Sequence, residues 1–463
     1  MEQFIQQFDC DVTKMHDVSH HMLQTMKSGL AGKGGSLMMI PSFTDTPSGN
    51  ESGVFLAVDF GGTNLRCLLI KTELNTIRNK VQRSMVLDPK IPTGEILFST
   101  IASFIVEFLE ENKSFLEPRP EVLPVGFTFS FPIQQTSIAS GKLIMWTKEF
   151  VASGVVGKDV VELLHAELAK RKYEWVKVVA LCNDTVGTLC ASTTEHPTAK
   201  IGVILGTGSN ACYQERMEAI TKINQEGASS SSSSSSEAAS KKMIINMEWG
   251  GYDGFPSTPE DDEVNHMTRK QGQQRLEKMV SGRYLPMLVR VCMNKCIRCG
   301  WILNCFDQEK IGVWDKNEEL SLIEIGKVEH DRSPNMDMAR SFIIRFCEDK
   351  SLDKNAIPLH EVVLIRSLFH AIVVRSARYA AVAISTLIQH IVTTGEQLEE
   401  LTVAIDGSVY HKHIGYKEEL HASVDKCCKS LMMGPTPPEV HVVGTQDGSG
   451  LGAAIIAAVQ VAH

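Results

Sequence analysis

Residues 176–192, VKVVALCNDTVGTLCAS, set the problem of the fold. An apolar run with β-branched residues stops at Asn183-Asp184-Thr185, and a helix-like apolar stretch follows. That is a strand feeding a helix. Asp184, at the seam, has two readings. As a cap, its carboxylate accepts a hydrogen bond from an orphan backbone N–H, worth about 1 kcal/mol. As a functional group, it stands at the carboxyl end of a strand, where open α/β sheets place their chemistry. Taken alone, these residues favour the cap.

The rest of the chain repeats the pattern. Residues 54–72, VFLAVDFGGTNLRCLLIKT, read as two strands around a Gly-Gly turn. A helical segment over 94–112 follows, then the strand LPVGFTFSF, a turn at Pro132, a helix over 155–172 and the strand VKVVALC. A second such block opens at 199–215, AKIGVILGTGSNACYQE. The segment 286–395 reads as mostly helical, and a last strand and Gly-rich turn lead into a terminal helix. Strands alternating with helices predict an α/β architecture. At 463 residues, two or three domains are expected. The Ser run in GASSSSSSSSEAASKK has no means of building a core and reads as a flexible, functionally silent surface insertion.

Composition excludes several classes. The chain is 43% hydrophobic and 22% charged, ordinary for a soluble globular protein. A net charge of -9 argues against a dedicated nucleic-acid binder, which concentrates Lys and Arg. The twelve cysteines form no small-domain framework, and several sit in apolar stretches. Without a signal peptide this reads as a reducing, cytoplasmic setting. The amphipathic N-terminus is too acidic for a transit peptide. The candidate membrane span AIVVRSARYAAVAISTLIQHIV contains Arg375 and Arg378, so a packed helix is expected. Cys292, Cys296 and Cys299 in CMNKCIRCGWILNC have the spacing of some iron–sulfur ligands. The same spacing is one face of a helix, and a buried cysteine face is the expectation.

Three Gly-rich turns point to anions. In DFGGTNLR, residues 59–66, Gly61 and Gly62 let the backbone turn tightly and expose N–H groups. Thr63 and Asn64 add donors, Arg66 adds a cation, and Asp59 could hold a metal-bound water. The ordinary alternative is a hairpin turn. The second turn repeats the recipe with Gly206, Thr207, Gly208 and Ser209. Two such turns suggest duplicated lobes gripping one polyphosphate. The third, DGSGLGAA, opens the C-terminal helix and suits either a nucleotide or close helix packing. None is a Walker P-loop.

Eight motifs in order, LAVDFGGTNLR, GFTFSFP, WTKEF, LCNDTVGT, GTGSNACY, NMEWGG, RLEKMVSGRYL and DGSGLGAA, resemble those of the hexokinase family. The resemblance runs from about residue 20 to the C-terminus and is loose across 300–400. It implies a two-lobed, actin-like (ribonuclease H-like) α/β fold with a cleft for glucose and ATP. The small domain would comprise 54–181 plus 448–463. The large domain would comprise 1–53 plus 182–447, with the Ser-rich insertion near 227–240. It implies Asp184 as general base on the 6-hydroxyl of the sugar, with Lys148 and Arg66 offsetting phosphoryl charge. Ser130, Thr147, Lys148, Asn183, Asn210, Glu248 and Glu277 are the implied hydroxyl partners. Asp59 through Arg66 and Gly206 through Ser209 are implied phosphate contacts, and Gly407, Ser408 and Ser449 implied contacts around adenosine. The implied cofactors are ATP and nucleotide-bound Mg²⁺, with no resident metal, no nucleic acid and no membrane span. Hexose preference and oligomeric state stay open.

The physics of the residues agrees. A pyranose presents many hydroxyls, each donor and acceptor, and asks for the amides and carboxylates found here. Two departures stand out. Leu451 replaces the Lys found in many hexokinases, and the acidic loop YDGFPSTPEDDEVN after NMEWGG is differently worded. A catalytically weak hexose sensor is the competing reading, and the retained Asp184 and both phosphate turns weigh against it. An actin-like or chaperone-like assembly protein would lack the dense sugar-facing acids and amides.

Overall fold

The computed structural model describes residues 1–44, 51–61, 64–73, 76–147, 150–225, 241–312, 314, 320–394, 398–431, 438–445 and 447–462. Gly62, Thr63, Lys148 and the Ser-rich stretch near 227–240 lie outside the described residues.

Two mixed sheets organise the chain. The first places Thr76–Val86, Asn64–Glu73, Gly53–Phe60, Leu123–Phe129 and Val176–Cys182 side by side in that order. Counted along the chain, its strands lie in the order 3-2-1-4-5. The second sheet has Lys242–Asn246, Ser209–Arg216, Ala199–Leu205, Glu400–Asp406 and Glu439–Gly444 in the same 3-2-1-4-5 order, with the short strand Ile40–Pro41 added at its edge. In both, strands 1, 2 and 3 pair antiparallel, and strands 1, 4 and 5 pair parallel. The duplication suggested by two similar turns is therefore a duplication of topology. In each half the Gly-rich turn joins strands 1 and 2, and a helix leaves strand 5.

Those two helices, Asp184–Thr193 and Gly448–Ala462, meet between the sheets. Ala453, Ala454, Ile456, Ala457 and Ala458 share one apolar core with Phe55, Ala57, Leu68 and Ile70 of the first sheet, with Val186, Leu189 and Cys190, and with Cys212 and Ile244 of the second. Small residues are needed because the backbones nearly touch. A Cβ on Gly452 would overlap the carbonyl of Gly187, and one on Gly126 would overlap that of Ala453. The glycines of DGSGLGAA thus serve close packing, one of the two readings left open above.

The larger apolar core surrounds the long helix Leu359–Thr393. This helix alone among the described residues is long and apolar enough to cross a membrane, and most of its apolar stretch is buried inside the protein. Arg375 is 1% exposed and makes two 2.7 Å hydrogen bonds to the carboxylate of Asp261. Arg378 pairs with Glu419 and Asp9. The reworded acidic segment 252–265 supplies Asp261, the partner of Arg375. Thr258 and Asp261 form a reciprocal capping box at the start of the helix Pro259–Met267.

The strand Thr76–Val86 and the hairpin Ile133–Ser137 with Ser140–Leu143 were not anticipated. Thr76–Val86 is a largely polar edge strand beside Asn64–Glu73, and only Val81 and Met85 pack on the core, so its apolar period is weak. The cysteine face needs one correction. Cys292 and Cys296 are buried on the helix Leu285–Arg298, but Cys299 caps its end and is exposed. None of the twelve cysteines is joined in a disulfide.

Replacing Arg375 by Met leaves the Asp261 carboxylate buried and unpaired. Urea unfolding should show a loss of about 3–5 kcal/mol; an unchanged midpoint and slope would contradict the pairing. In Gly452→Ala the added methyl has no room, and overpacking of about 1–3 kcal/mol or more is expected as a lowered melting temperature. A wild-type melting curve for that variant would show that the helices are farther apart than described.

Candidate active site

The strand-5 ends and both Gly-rich turns face one cavity of about 280 Å³. Its lining includes Asp59, Gly61, Ser130, Thr147, Asn183, Asp184, Gly206, Thr207, Gly208, Ser209, Asn210, Glu248, Glu277, Gly407, Ser408 and Ser449. Residues as far apart in the chain as Asp59 and Ser449 are thus brought together.

At the seam, the cap is Asn183. Its Oδ1 accepts from Thr185 N at 3.0 Å and from Thr185 Oγ1 at 2.8 Å. Asp184 begins the helix, and its Oδ1 accepts from the same N–H at 2.9 Å. No other hydrogen bond from a described residue reaches this carboxylate. Asp184 therefore shares the capping role without being consumed by it.

One wall is a chain of amides and acids. Asn210 Nδ2 lies 3.2 Å from Asn183 Oδ1, 2.8 Å from Asn246 Oδ1 and 3.2 Å from Glu248 Oε1. Asn246 Nδ2 also donates to Glu248 Oε1 at 3.0 Å. Glu277 Oε2 accepts from Ser209 N at 3.0 Å, and Ser209 Oγ accepts from Trp249 Nε1 at 2.9 Å. These bonds tie Ser209's N–H inward, and Gly206 N is spent on Gly208 O at 3.0 Å, so Thr207 and Gly208 carry the open N–H groups of the second turn. Glu248 and Gln274 both hold left-handed backbone, with φ of 54° and 53°. Non-glycine residues take that conformation at a cost, and it clusters where side chains are held for function.

The opposite wall is an ionic knot. Arg66 Nη2 donates to Asp59 Oδ2 at 2.9 Å and to Ser449 Oγ at 3.3 Å, while Nη1 pairs with Asp447. Ser449 Oγ donates to Asp59 Oδ2 at 2.8 Å. Arg66, expected to offset phosphoryl charge, is paired within the protein. Two carboxylates neutralise it, and it holds Asp59 in place. Ser449 likewise spends its hydroxyl on Asp59. Asn64, the first residue of its strand, is exposed and does not line the cavity.

Burial pushes the Asp59 carboxyl above its usual range, against the pull of Arg66 and Ser449, and the nearby Asp184 adds to the rise. Burial raises Asp406 too, opposed by hydrogen bonds from Gly407 N and Gly448 N. Three aspartates, Asp59, Asp184 and Asp406, thus line the cavity alongside Glu248 and Glu277. Asp59 Oδ1 is buried and takes no hydrogen bond from a described residue. An acceptor oxygen left over beside other carboxylates suits a ligand that brings its own cation.

Sequence reasoning missed Gln274, Asp406, Asn246 and Asp447. Asp406 was findable, because it ends a strand before Gly407 much as Asp59 stands next to last in the strand before the first turn. Gln274 precedes Glu277 by one helical turn in GQQRLEK, a weak signal without the backbone that turns it inward.

Two sheets of one topology, a glycine turn on each side and a strand-end carboxylate between them define a two-lobed phosphotransferase of the actin-like, sugar-kinase type. Family models described as hexokinase match residues 1–194 and 200–459. The hexokinase of Kluyveromyces lactis is 33% identical over 457 residues, spanning 97% of this chain and 90% of that protein. Hexokinase-1 of Saccharomyces cerevisiae is 35% identical over 467 residues, 99% of this chain and 91% of that one. The solved structure of hexokinase from Schistosoma mansoni complexed with glucose aligns at a TM-score of 0.83 and 30% identity, covering 99% and 97% of the two chains. The chain belongs to the hexokinase family, whose members are ATP-dependent sugar phosphotransferases using Mg²⁺.

Arg66→Lys keeps one charge but cannot bridge Asp59 and Asp447. Losing a charge-assisted hydrogen bond there should raise the KM for MgATP about tenfold or more, with hexose binding little changed. Steady-state kinetics with ATP varied checks this; an unaltered KM would mean the knot does not shape the nucleotide side.

Proposed function

We propose that this protein transfers the γ-phosphoryl group of MgATP to the 6-hydroxyl of a hexose, glucose foremost, with Asp184 as general base. The observation that carries the reading is the placement of Asp184. It stands at the head of a helix whose cap Asn183 already provides, in a cavity walled by amides and acids on one side and a glycine turn with Asp59 on the other. The glucose named for the similar Schistosoma mansoni structure supports the choice of sugar.

In this reading Asn183, Asn210, Glu248, Gln274 and Glu277 exchange hydrogen bonds with sugar hydroxyls, and Ser130 and Thr147 close from the other lobe. Asn210, held by three partners, offers a fixed geometry and loses little entropy on binding. Asp184 accepts the hydroxyl proton as the new O–P bond forms. The protein does little covalent work; positioning and charge stabilisation dominate. Thr207 and Gly208 offer backbone N–H groups to the phosphates, Gly61 and Gly206 shape the turns beside them, and Gly407 and Ser408 border the rest of the nucleotide. Asp59 Oδ1 is the atom we assign to a water of the nucleotide's Mg²⁺, an ion that would supply charge neutralisation to the phosphates. Lys148, adjacent to Thr147 in sequence, is the cation we assign to the transferring group. Closure of the lobes excludes water and so suppresses hydrolysis of ATP. The setting is cytoplasmic, which twelve cysteines outside any disulfide favour, and the product feeds glycolysis.

Asp184→Asn keeps the shape and the hydrogen bond to Thr185 but removes the base. In a coupled assay for glucose 6-phosphate, turnover should fall about 10²–10⁴-fold while calorimetry shows glucose binding retained. Turnover within tenfold of the unaltered protein would end the assignment.

A further inference from the structure

Gln274 and Glu277 enter the cavity from a tight piece of chain. Residues 268–273 run from the helix Pro259–Met267 to the helix Arg275–Val280, and Gln274 turns between them at φ 53°. Nothing apolar pins this turn, since residues 269–273 are mostly exposed. Gln274 nevertheless has to sit in one place. A Cβ on Gly250 would fall 2.5 Å from its Oε1, so the amide packs directly against that backbone.

What restrains the turn is a buried cation. Lys278 is 4% exposed. Its Nζ donates to Asn265 Oδ1 at 2.8 Å and to the Lys270 carbonyl at 2.7 Å. Asn265 Oδ1 also accepts from Gly272 N at 3.0 Å. One ammonium and one side-chain amide thus bind the end of the first helix, two points on the turn, and the second helix. Lys278 follows Glu277 directly, so the two side chains leave the helix about 100° apart, one toward the cavity and one toward the turn. Burial drives the Lys278 ammonium down to about 8, with Arg275 and Lys270 adding to the fall and Glu277 opposing it. Burying an ammonium at that cost, away from any direct partner carboxylate, asks for a purpose.

We propose that Lys278, acting with Asn265, is a positioning residue for hexose recognition: it clamps the turn 268–273 and thereby fixes Gln274 and Glu277 against the sugar. The proposal rests on the hexokinase reading above. It assigns Lys278 no contact with either substrate. Its effect is centred on the wall that holds the sugar and leaves the first glycine turn and the Asp59 knot untouched.

Lys278→Met keeps the buried stem and removes the donors; Asn265→Ala removes the shared acceptor from the other end. In both, the KM for glucose should rise about tenfold, while kcat and the KM for MgATP at saturating glucose stay within about twofold. Hydrogen–deuterium exchange should quicken in the peptide covering 268–274 and nowhere in the first sheet. A glucose KM within twofold of the unaltered protein in a folded variant overturns the proposal. So does a parallel loss of kcat and of both substrate affinities, which is the mark of general damage. Should Lys278→Met fail to fold, Asn265→Ala decides. If the unaltered protein makes no glucose 6-phosphate, the hexokinase reading itself fails, and the exchange of 268–274 still judges the clamp: unchanged exchange in both variants refutes it.

Discussion

The close approach of two helices at Gly187 and Gly452 is the constraint on which the site depends. No side chain fits between the backbones there. The contact brings the start of the helix Gly448–Ala462 beside the start of Asp184–Thr193. From that junction Ser449 Oγ reaches Asp59, Gly448 N reaches Asp406 Oδ2 at 3.1 Å, and Ser449 O accepts from Thr128 Oγ1 at 3.2 Å. Three strand ends, two from the first sheet and one from the second, are thereby referenced to one helix terminus. A bulkier residue at either glycine would separate the groups that must meet.

Around this junction the two halves have diverged in chemistry while keeping one topology. The turn of the first half is coupled to an ionic knot that buries Asp59 and immobilises Arg66. The turn of the second half is coupled through Ser209 to Glu277 and Trp249, and so to the amide wall. The first arrangement leaves an acceptor oxygen and excess negative charge, suited to a phosphate that carries a metal ion. The second leaves a fixed array of donors and acceptors, suited to a polyol. Two left-handed residues, Glu248 and Gln274, pay local strain to hold that array. Asp184 stands where the two chemistries adjoin.

Much of this was legible in the residues because it is local. Apolar runs ended by Gly-rich turns marked strands 1 and 2 of both sheets, and the Asn-Asp-Thr seam marked the strand-to-helix junction. Charged residues inside an apolar helix showed that Arg375 needed a partner, though not that Asp261 would be it. Roles set by distant pairing were not legible. Arg66 looks like a free cation until the fold brings Asp447 beside it, 381 residues away in sequence. Asn183 and Asp184 compete for one cap, and only the backbone shows that Asn183 carries it. The edge strand Thr76–Val86 carries polar residues on both faces, so only a weak apolar period marks it.

The central claim is that Asp184 receives the proton of the sugar hydroxyl that attacks the nucleotide. A crystal structure of the protein with glucose and a nonhydrolysable MgATP analogue measures this directly. The account predicts an Asp184 carboxylate oxygen at about 2.6–3.2 Å from O6, with O6 facing the terminal phosphorus. A closed complex in which Asp184 bonds only to Thr185, and O6 is held by another group, would contradict it.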